Sequence, residues 1–356
     1  MDNKEISGTA TLKNVAKLAG VSIATASRVL NNTNYPVKPE LKKKVLDSAR
    51  KLNYILPSTV KPITSNQSKT IAVIVPTLQN PFFNQVILGI ESAASQQGYK
   101  LMIFSSHRSV EQERNHINSL LSNRVSALII ISIDSNGDAL QKYVACGGRV
   151  AVLEANFKFK NALLCETDHF FAGQTAVEYL VERGHRDIAF LTAPLTKSYR
   201  RNILIGVTET MKDYGLPFTD DDIFVEPLES ESDTGIYEFE LGKKLGQSFL
   251  QSSKKHSAII AINDMTAFGI IQSLSQNGVS IPNQVSVISF DNILFSEMTS
   301  PPLTTVELPS TSMGTTICNM LINSLSGEKQ ELYDVVLRFQ TELVERGSVQ
   351  DYYNTQ

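Results

Sequence analysis

No stretch of this 356-residue sequence approaches twenty consecutive apolar residues, so nothing in it reads as a membrane span. The opening MDNKEISGTATLK is polar and mixed in charge, without the apolar core of a secretory signal. The expectation is a cytoplasmic protein with no membrane contact. Cysteine is scarce: Cys146, Cys165 and Cys318 are widely spaced, which excludes a disulfide framework or a cysteine zinc site and predicts buried thiols in a reducing compartment. Catalytic signatures are missing as well. There is no Gly-x-Ser-x-Gly elbow, no Walker loop, no Gly-x-Gly-x-x-Gly after a strand and no His-Glu-x-x-His. His107, His116, His169, His185 and His256 are scattered and are assigned to structure or surface, and Asp220 to Asp222 to a solvated loop. No enzyme activity, cofactor or metal is expected.

What is present is an uneven charge distribution. The net charge of −3 conceals eleven Lys and Arg against four Asp and Glu in residues 1–64, leaving twenty-two against thirty-two in the remainder. A basic module on an acidic body is the footprint of a polyanion-binding head, because each neutralised phosphate releases counterions. The length calls for that small module plus two larger lobes, and a hydrophobic content of 42% suffices to give each a core.

Local chemistry gives the basic module its shape. Thr11 can cap a helix whose apolar positions Leu12, Val15, Ala16 and Ala19 repeat at helical spacing, and Gly20 ends it. Ser22 caps a second helix in which Ala26, Val29 and Leu30 can pack inward while Ile23, Ala24, Thr25, Ser27 and Arg28 face elsewhere. A third helix opens at Pro39, with Leu41, Val45, Ala49 and Leu52 beside Lys42, Lys43, Lys44, Arg50 and Lys51. Two short helices around a tight turn form a helix-turn-helix, whose second helix enters a major groove.

Beyond the head, short apolar runs at 71–75, 100–104, 127–131, 149–153, 188–191, 258–262 and 285–290 alternate with amphipathic stretches at 83–96, 111–122, 171–183 and 265–276. That alternation implies parallel sheets covered on both faces, in two series and hence two lobes. Ligands of such sheets bind beyond the carboxyl ends of the strands, which puts the expected site in the cleft between lobes.

The segments NVAKLAGVSIATASRVLNN, KVLDSARKLNY, IAVIVPTLQNPFFNQVILGIE, RGHRDIAFL, AINDMTAFG, VSVISFDN and PPLTTV, in this order, resemble the lactose-repressor/galactose-repressor family of bacterial transcription regulators. The resemblance covers residues 9 to 348. It implies a small all-α helix-turn-helix head (1–56), a linker (57–69) and an α/β two-lobed sensor like a periplasmic binding protein, built on two doubly wound parallel sheets. The expected lobes are 70–163 with 294–327 and 164–293 with 328–348, followed by a tail, 349–356. It further implies a repressor of carbohydrate-utilisation genes, bound to near-palindromic double-stranded operator DNA in the bacterial nucleoid and switched by a small effector. A solute-binding transport protein would share the two lobes but should carry an export signal and no basic head.

By the same resemblance, Ile23 and Ala24 lie against base edges, Arg28 pairs with guanine, Ser22, Thr25 and Ser27 hold phosphates, and Thr11 and Asn31 join the DNA-binding set. Residues 54–70 correspond to a hinge helix, but Pro62 opposes a regular helix there. That leaves Val60 and Ile63 as apolar wedges or the whole segment as a plain linker. The tail lacks apolar heptads, so a homodimer is expected. For the cleft, Phe82 follows the first strand, Asp134 the third, and Asn263 and Asp291 end later ones; Phe83 is read as capping the core. The family usually places an arginine three residues before a glycine-aromatic pair, where this chain has Ile203, so Arg200 or Arg201 is expected to substitute. A saccharide or sugar phosphate is the expected effector, with a nucleobase or a protein corepressor as alternatives.

Overall fold

A computed structural model describes residues 11–30, 37–52, 69–123, 125, 127–155, 161–227, 236–325 and 335–352, which form two compact units divided at Pro62. The first unit holds α1 (Leu12–Ala19), α2 (Ile23–Leu30) and α3 (Pro39–Lys51). Thr11 caps α1 by accepting from the Asn14 N–H at 3.3 Å. Gly20 stops it in the left-handed conformation (φ 67°), which a residue with a Cβ adopts only at a cost. Ser22 Oγ then accepts from the Thr25 N–H at 3.1 Å to start α2. Val15, Ala16, Ala19, Ala26, Val29, Val45 and Ala49 form the core, and these small side chains are what let three short helices close on one another.

The second unit opens with β1 (Thr70–Val75), α4 (Pro81–Gln96), β2 (Lys100–Ser105), α5 (Val110–Ser122), β3 (Ala127–Ile131), α6 (Asp138–Ala145), β4 (Arg149–Leu153) and β5 (Leu163–Thr167). It continues with α7 (His169–Glu182), β6 (Ile188–Thr192), α8 (Ser198–Asp213), β7 (Ile223–Val225), α9 (Tyr237–Gln251), β8 (Ala258–Ala261), α10 (Asp264–Gln276), β9 (Ser286–Asp291) and β10 (Thr304–Glu307). It closes with α11 (Ser310–Leu325), β11 (Val335–Phe339) and β12 (Glu342–Val344). The strands make two six-stranded sheets, ordered β11-β5-β4-β3-β1-β2 and β12-β10-β9-β8-β6-β7. These are the same order repeated, each parallel throughout except that β12 runs antiparallel to β10. Central strands such as β1 and β8 are buried on both faces, which is why they read as unbroken apolar runs.

The lobe boundaries differ from the expected ones. β5 stays in the first sheet to Thr167, β10 belongs to the second sheet beside β9, and β11 returns to the first. The chain therefore crosses after residues 167, 307 and 339, not near 163, 293 and 328. β5 alternates in burial and β10 reads TTVE, so neither announces itself as a core strand. The aspartate run is also not a solvated loop throughout. Asp222 is buried, caps a short 3-10 turn through the Thr219 N–H at 2.8 Å, and pairs with Lys254 and His256. Burial alone would raise its carboxyl, but the hydrogen bonds from Lys254, the Thr219 backbone and His256 outweigh that and hold it below the ordinary range.

One helix contact bears directly on the cleft. A Cβ on Gly206 would stand 2.1 Å from the Phe170 carbonyl oxygen, and one on Gly173 would stand 2.3 Å from that of Ile203. Only glycine at both positions lets α7 and α8 meet backbone to backbone, and that contact sets where His169 and Ile203 enter the cleft wall.

Candidate functional site

In the first unit, α2 turns Ala26 and Val29 into the core and leaves Ser22, Ala24 and Arg28 exposed, with Ile23 49% exposed. A β-branched apolar side chain standing out of so small a core has no folding role that accounts for it. Thr25 and Ser27 are half-buried, and the Ser22 and Thr25 hydroxyls are 2.8 Å apart. Lys42, Lys43 and Lys44 are exposed on α3. Asn31, Val60 and Ile63 lie outside the described residues.

In the second unit the carboxyl ends of both sheets face a cleft of about 820 Å³, its open mouth included. Phe82 and Phe83 enter from the start of α4, Ile131 to Ile133 from β3, Asn263 from β8, Asp291 from β9, and Lys197, Tyr199, Arg200 and Ile203 from the start of α8. Such convergence at strand ends is where open parallel sheets bind ligands. Arg108 (φ 55°), Glu154 (φ 53°) and Asp291 (φ 114°) follow or end β2, β4 and β9, and all three line the cleft with positive φ. Three ionisable non-glycine residues held in a disfavoured conformation around one cavity indicate a site whose geometry the surrounding fold enforces.

The expected residues divide between the cleft and other roles. Phe82, Arg200, Asn263 and Asp291 line it. Asp134 does not: it is buried under Arg114, which donates to it through Nε at 2.6 Å and Nη2 at 3.1 Å. The Arg114 hydrogen bonds hold the Asp134 carboxyl below its ordinary range, so it serves the fold. Arg201 points away as well, exposed and donating to the Leu195 carbonyl at 2.8 Å. Arg200, one residue earlier on α8, is buried in the wall and donates to Pro194 O at 2.9 Å and to the Tyr199 hydroxyl at 3.0 Å. Ile203 supplies apolar wall where the family's arginine would stand. Asn263 caps α10 through its Oδ1 (Thr266 N–H, 2.8 Å), which leaves its amide nitrogen for a ligand. Phe83, read as a core cap, packs on the core and lines the cleft.

Several cleft residues were not legible. His169 begins α7 and meets Glu154 across the crossover at 2.7 Å, so it belongs to the site and not to a plain structural set. Lys197 donates from one lobe to the Ile133 carbonyl of the other at 2.9 Å. Burial lowers its pKa. Glu238, in the first turn of α9, meets Arg108 and Asn80 from the opposite lobe. Behind the wall, Asp264 is fully buried and accepts from Ser289, from Ser296 at 2.6 Å, from Thr305 at 2.7 Å and from the Ile293 N–H at 2.9 Å. It thereby fixes the segment that carries Asp291. Burial raises both carboxyls, Asp291 well above its ordinary value, with Asp264 and Glu238 adding repulsion. A neutral Asp291 can donate a hydrogen bond as well as accept one. Among the described residues no cluster of His, Cys, Asp or Glu is arranged to hold a metal, and no helix is long and apolar enough to cross a membrane.

Comparison with known proteins bears on both units. Residues 11–57 match the family of bacterial regulatory proteins, lacI family, and residues 68–343 match the periplasmic binding proteins and sugar binding domain of LacI family. The HTH-type transcriptional repressor PurR of Actinobacillus pleuropneumoniae serotype 3 (strain JL03) is 30% identical over 342 residues, covering 96% of this chain and 99% of the relative. A LacI family transcriptional regulator from Enterococcus faecium with bound ribose superposes with a TM-score of 0.70 at 25% identity, over 80% of this chain and 100% of that one. The lac repressor dimer bound to operator and the anti-inducer ONPF superposes with a TM-score of 0.67 at 25% identity, over 96% and 100%.

Proposed function

The chain belongs to the LacI family of bacterial regulatory proteins, which are DNA-binding transcription repressors and not enzymes, and from that premise we propose that it is a dimeric repressor of carbohydrate-utilisation genes. It acts in the cytoplasm on nucleoid DNA. Ile23, Ala24 and Arg28 of α2 read bases, while Ser22, Thr25 and Ser27 hold phosphates and Thr11 and Asn31 complete the DNA-binding set. The operator is a near palindrome with half-site centres about 10 bp apart, one helical turn. A second copy has apolar surface to cover, since Leu88, Met102, Leu294 and Met298 are exposed.

The effector is a small polar ligand in the cleft, a saccharide or sugar phosphate. The observation that carries this reading is the ring of strained, ionisable residues at strand ends, Arg108, Glu154 and Asp291, around an aromatic and aliphatic floor. The ribose-bound relative supports a sugar. A nucleobase is the second reading, favoured by Phe83 and Tyr199 in the same lining as Glu238 and Asp291, which offers a flat ring both faces and edges.

The test begins with selection of DNA bound by the full-length protein from a random pool, followed by titration of the selected fragment with and without sugars, sugar phosphates and nucleobases. A palindromic site whose affinity changes at least tenfold with one compound supports the reading. Recovery of no preferred sequence refutes the DNA part, and a site indifferent to compounds that bind the protein refutes the switch.

A further inference from the structure

Glu238 is 5% exposed, and its two carboxylate oxygens have different fates. Oε1 accepts from the Arg108 guanidinium and from the Asn80 side-chain amide at 3.2 Å, both donors belonging to the opposite lobe. Arg108 reaches it because His107 and Arg108 are successive left-handed residues (φ 47° and 55°), with the Arg108 N–H held on Pro76 O at 2.9 Å. The guanidinium also lies 4.8 Å above the Tyr237 ring. Oε2 is buried and, among the described residues, has no hydrogen-bond partner; the buried hydroxyl of Tyr237 has none either. An unpaired carboxylate oxygen out of reach of water is expensive, so one standing in a cavity wall marks a place for a donor.

Of the cations lining the cleft, Arg108 is the one held on Glu238. Lys197 donates to Ile133 O, Arg200 to Pro194 O and Tyr199, and Arg108 is neutralised by Glu238 itself. At Glu238 Oε2 the unmet requirement is thus for a donor. A phosphate brought here would meet the Glu238 carboxylate with its guanidinium already paired.

We infer that Glu238 is where effector binding and lobe closure meet: one oxygen ties the lobes through Arg108 and Asn80, and the other accepts an O–H or N–H from an uncharged, donor-bearing ligand. The inference rests on the reading of the cleft as the effector site and narrows its ligand class. A ligand that satisfies Oε2 stabilises the carboxylate in the position where it bridges the lobes, so occupancy and closure reinforce each other. Neutral sugars and nucleobases share this donor chemistry, and the experiment separates them.

The experiment uses the full chain with D-ribose, cellobiose, adenine, guanine, D-ribose 5-phosphate and glucose 6-phosphate, measuring binding by calorimetry and operator affinity on the selected fragment. At least one of the four uncharged compounds should bind, with the two phosphates at least tenfold weaker than it. Glu238→Gln keeps the size but loses the charge, and should weaken the bound compound ten- to a hundredfold. Arg108→Ala should bring the ratio of operator affinities with and without ligand close to one, and Arg108→Lys should restore part of it. Thermal melts establish that each variant is folded. Preferential binding of a phosphate, binding unaffected by Glu238→Gln, or no binding by any uncharged compound overturns the ligand class. A full operator response in Arg108→Ala overturns the bridge. An uncharged compound that binds through Glu238 without altering operator affinity in the unsubstituted protein refutes the switch proposed above while leaving the ligand class standing.

Discussion

The groups proposed to meet DNA come mainly from one eight-residue helix and stand on the surface of a core made of alanine and valine, whereas the cleft gathers its ionisable groups from elements spread between residues 108 and 291 and holds them buried or half-buried. The difference decides what a substitution does. On α2 the side chains proposed to meet DNA stand outside the core, so removing one should change binding more than folding. In the cleft Arg108 pairs with Glu238 and His169 with Glu154, so removal of one leaves another unsatisfied and binding is entangled with stability.

The largest effect should come from the buried carboxylate behind the wall. Asp264→Ala would strip the acceptor from three hydroxyls and the Ile293 N–H in one step. A loss of roughly 3–5 kcal/mol is expected, the scale of breaking a buried polar network. Thermal unfolding should move down by about 10 °C. Because α2 lies in the other compact unit, the same variant should retain the sequence preference of operator binding at temperatures where it is folded. A melt within 2 °C of the unsubstituted protein would mean the network is dispensable and the contrast overstated.

Arg28→Ala tests the other side. Melting should be unchanged within about a degree, while affinity falls by roughly 1–3 kcal/mol at one base pair of each half-site and the preference there relaxes. If the ranking of half-site variants survives intact, Arg28 is not the base reader. A smaller and less selective loss is expected for Lys43→Ala, exposed on α3: all sequences should weaken together, and the slope of log affinity against log salt should flatten by about one.

This contrast also explains what the sequence let one read. The head was legible because capping and helical spacing are local: Thr11, Gly20 and Ser22 act within a few residues, and the apolar spacing repeats inside each short helix. The central strands were legible because burial on both faces leaves unbroken apolar runs. Strands β5, β7, β10, β11 and β12 were not, being short, alternating or polar. In the cleft, the strand-end rule located Phe82, Asn263 and Asp291, since it depends only on order along the chain. Glu238, Lys197 and His169 escaped because helix starts carry no apolar signature, and Arg108 and Glu154 because left-handed turns at non-glycine residues leave no mark in sequence. Asp134 and Arg201 were drawn in wrongly because position along the chain does not reveal that Arg114 holds the first and that α8 turns the second outward.

The smallest effect expected is also the one that isolates a single buried proton. Burial and the nearby Asp264 and Glu238 raise the Asp291 carboxyl well above its ordinary range, so the folded protein keeps a proton there after the unfolded chain has lost it. The folded state then binds more protons than the unfolded one, and stability must fall as pH rises from the ordinary carboxylate range to the raised value. Asp291→Asn has nearly the same shape and cannot ionise, so it should match the unsubstituted protein at low pH and gain on it progressively toward neutrality, by about 1 kcal/mol or roughly 2 °C. Asp222 and Asp134, both lowered, contribute the opposite slope, losing their stabilisation as pH falls through their folded values, but they are present in both proteins and cancel in the difference. Melts of the two proteins between pH 4 and pH 8 decide it. Parallel curves would mean that Asp291 titrates alike folded and unfolded, and that the cleft wall exposes its carboxyl to water as freely as the head exposes Arg28.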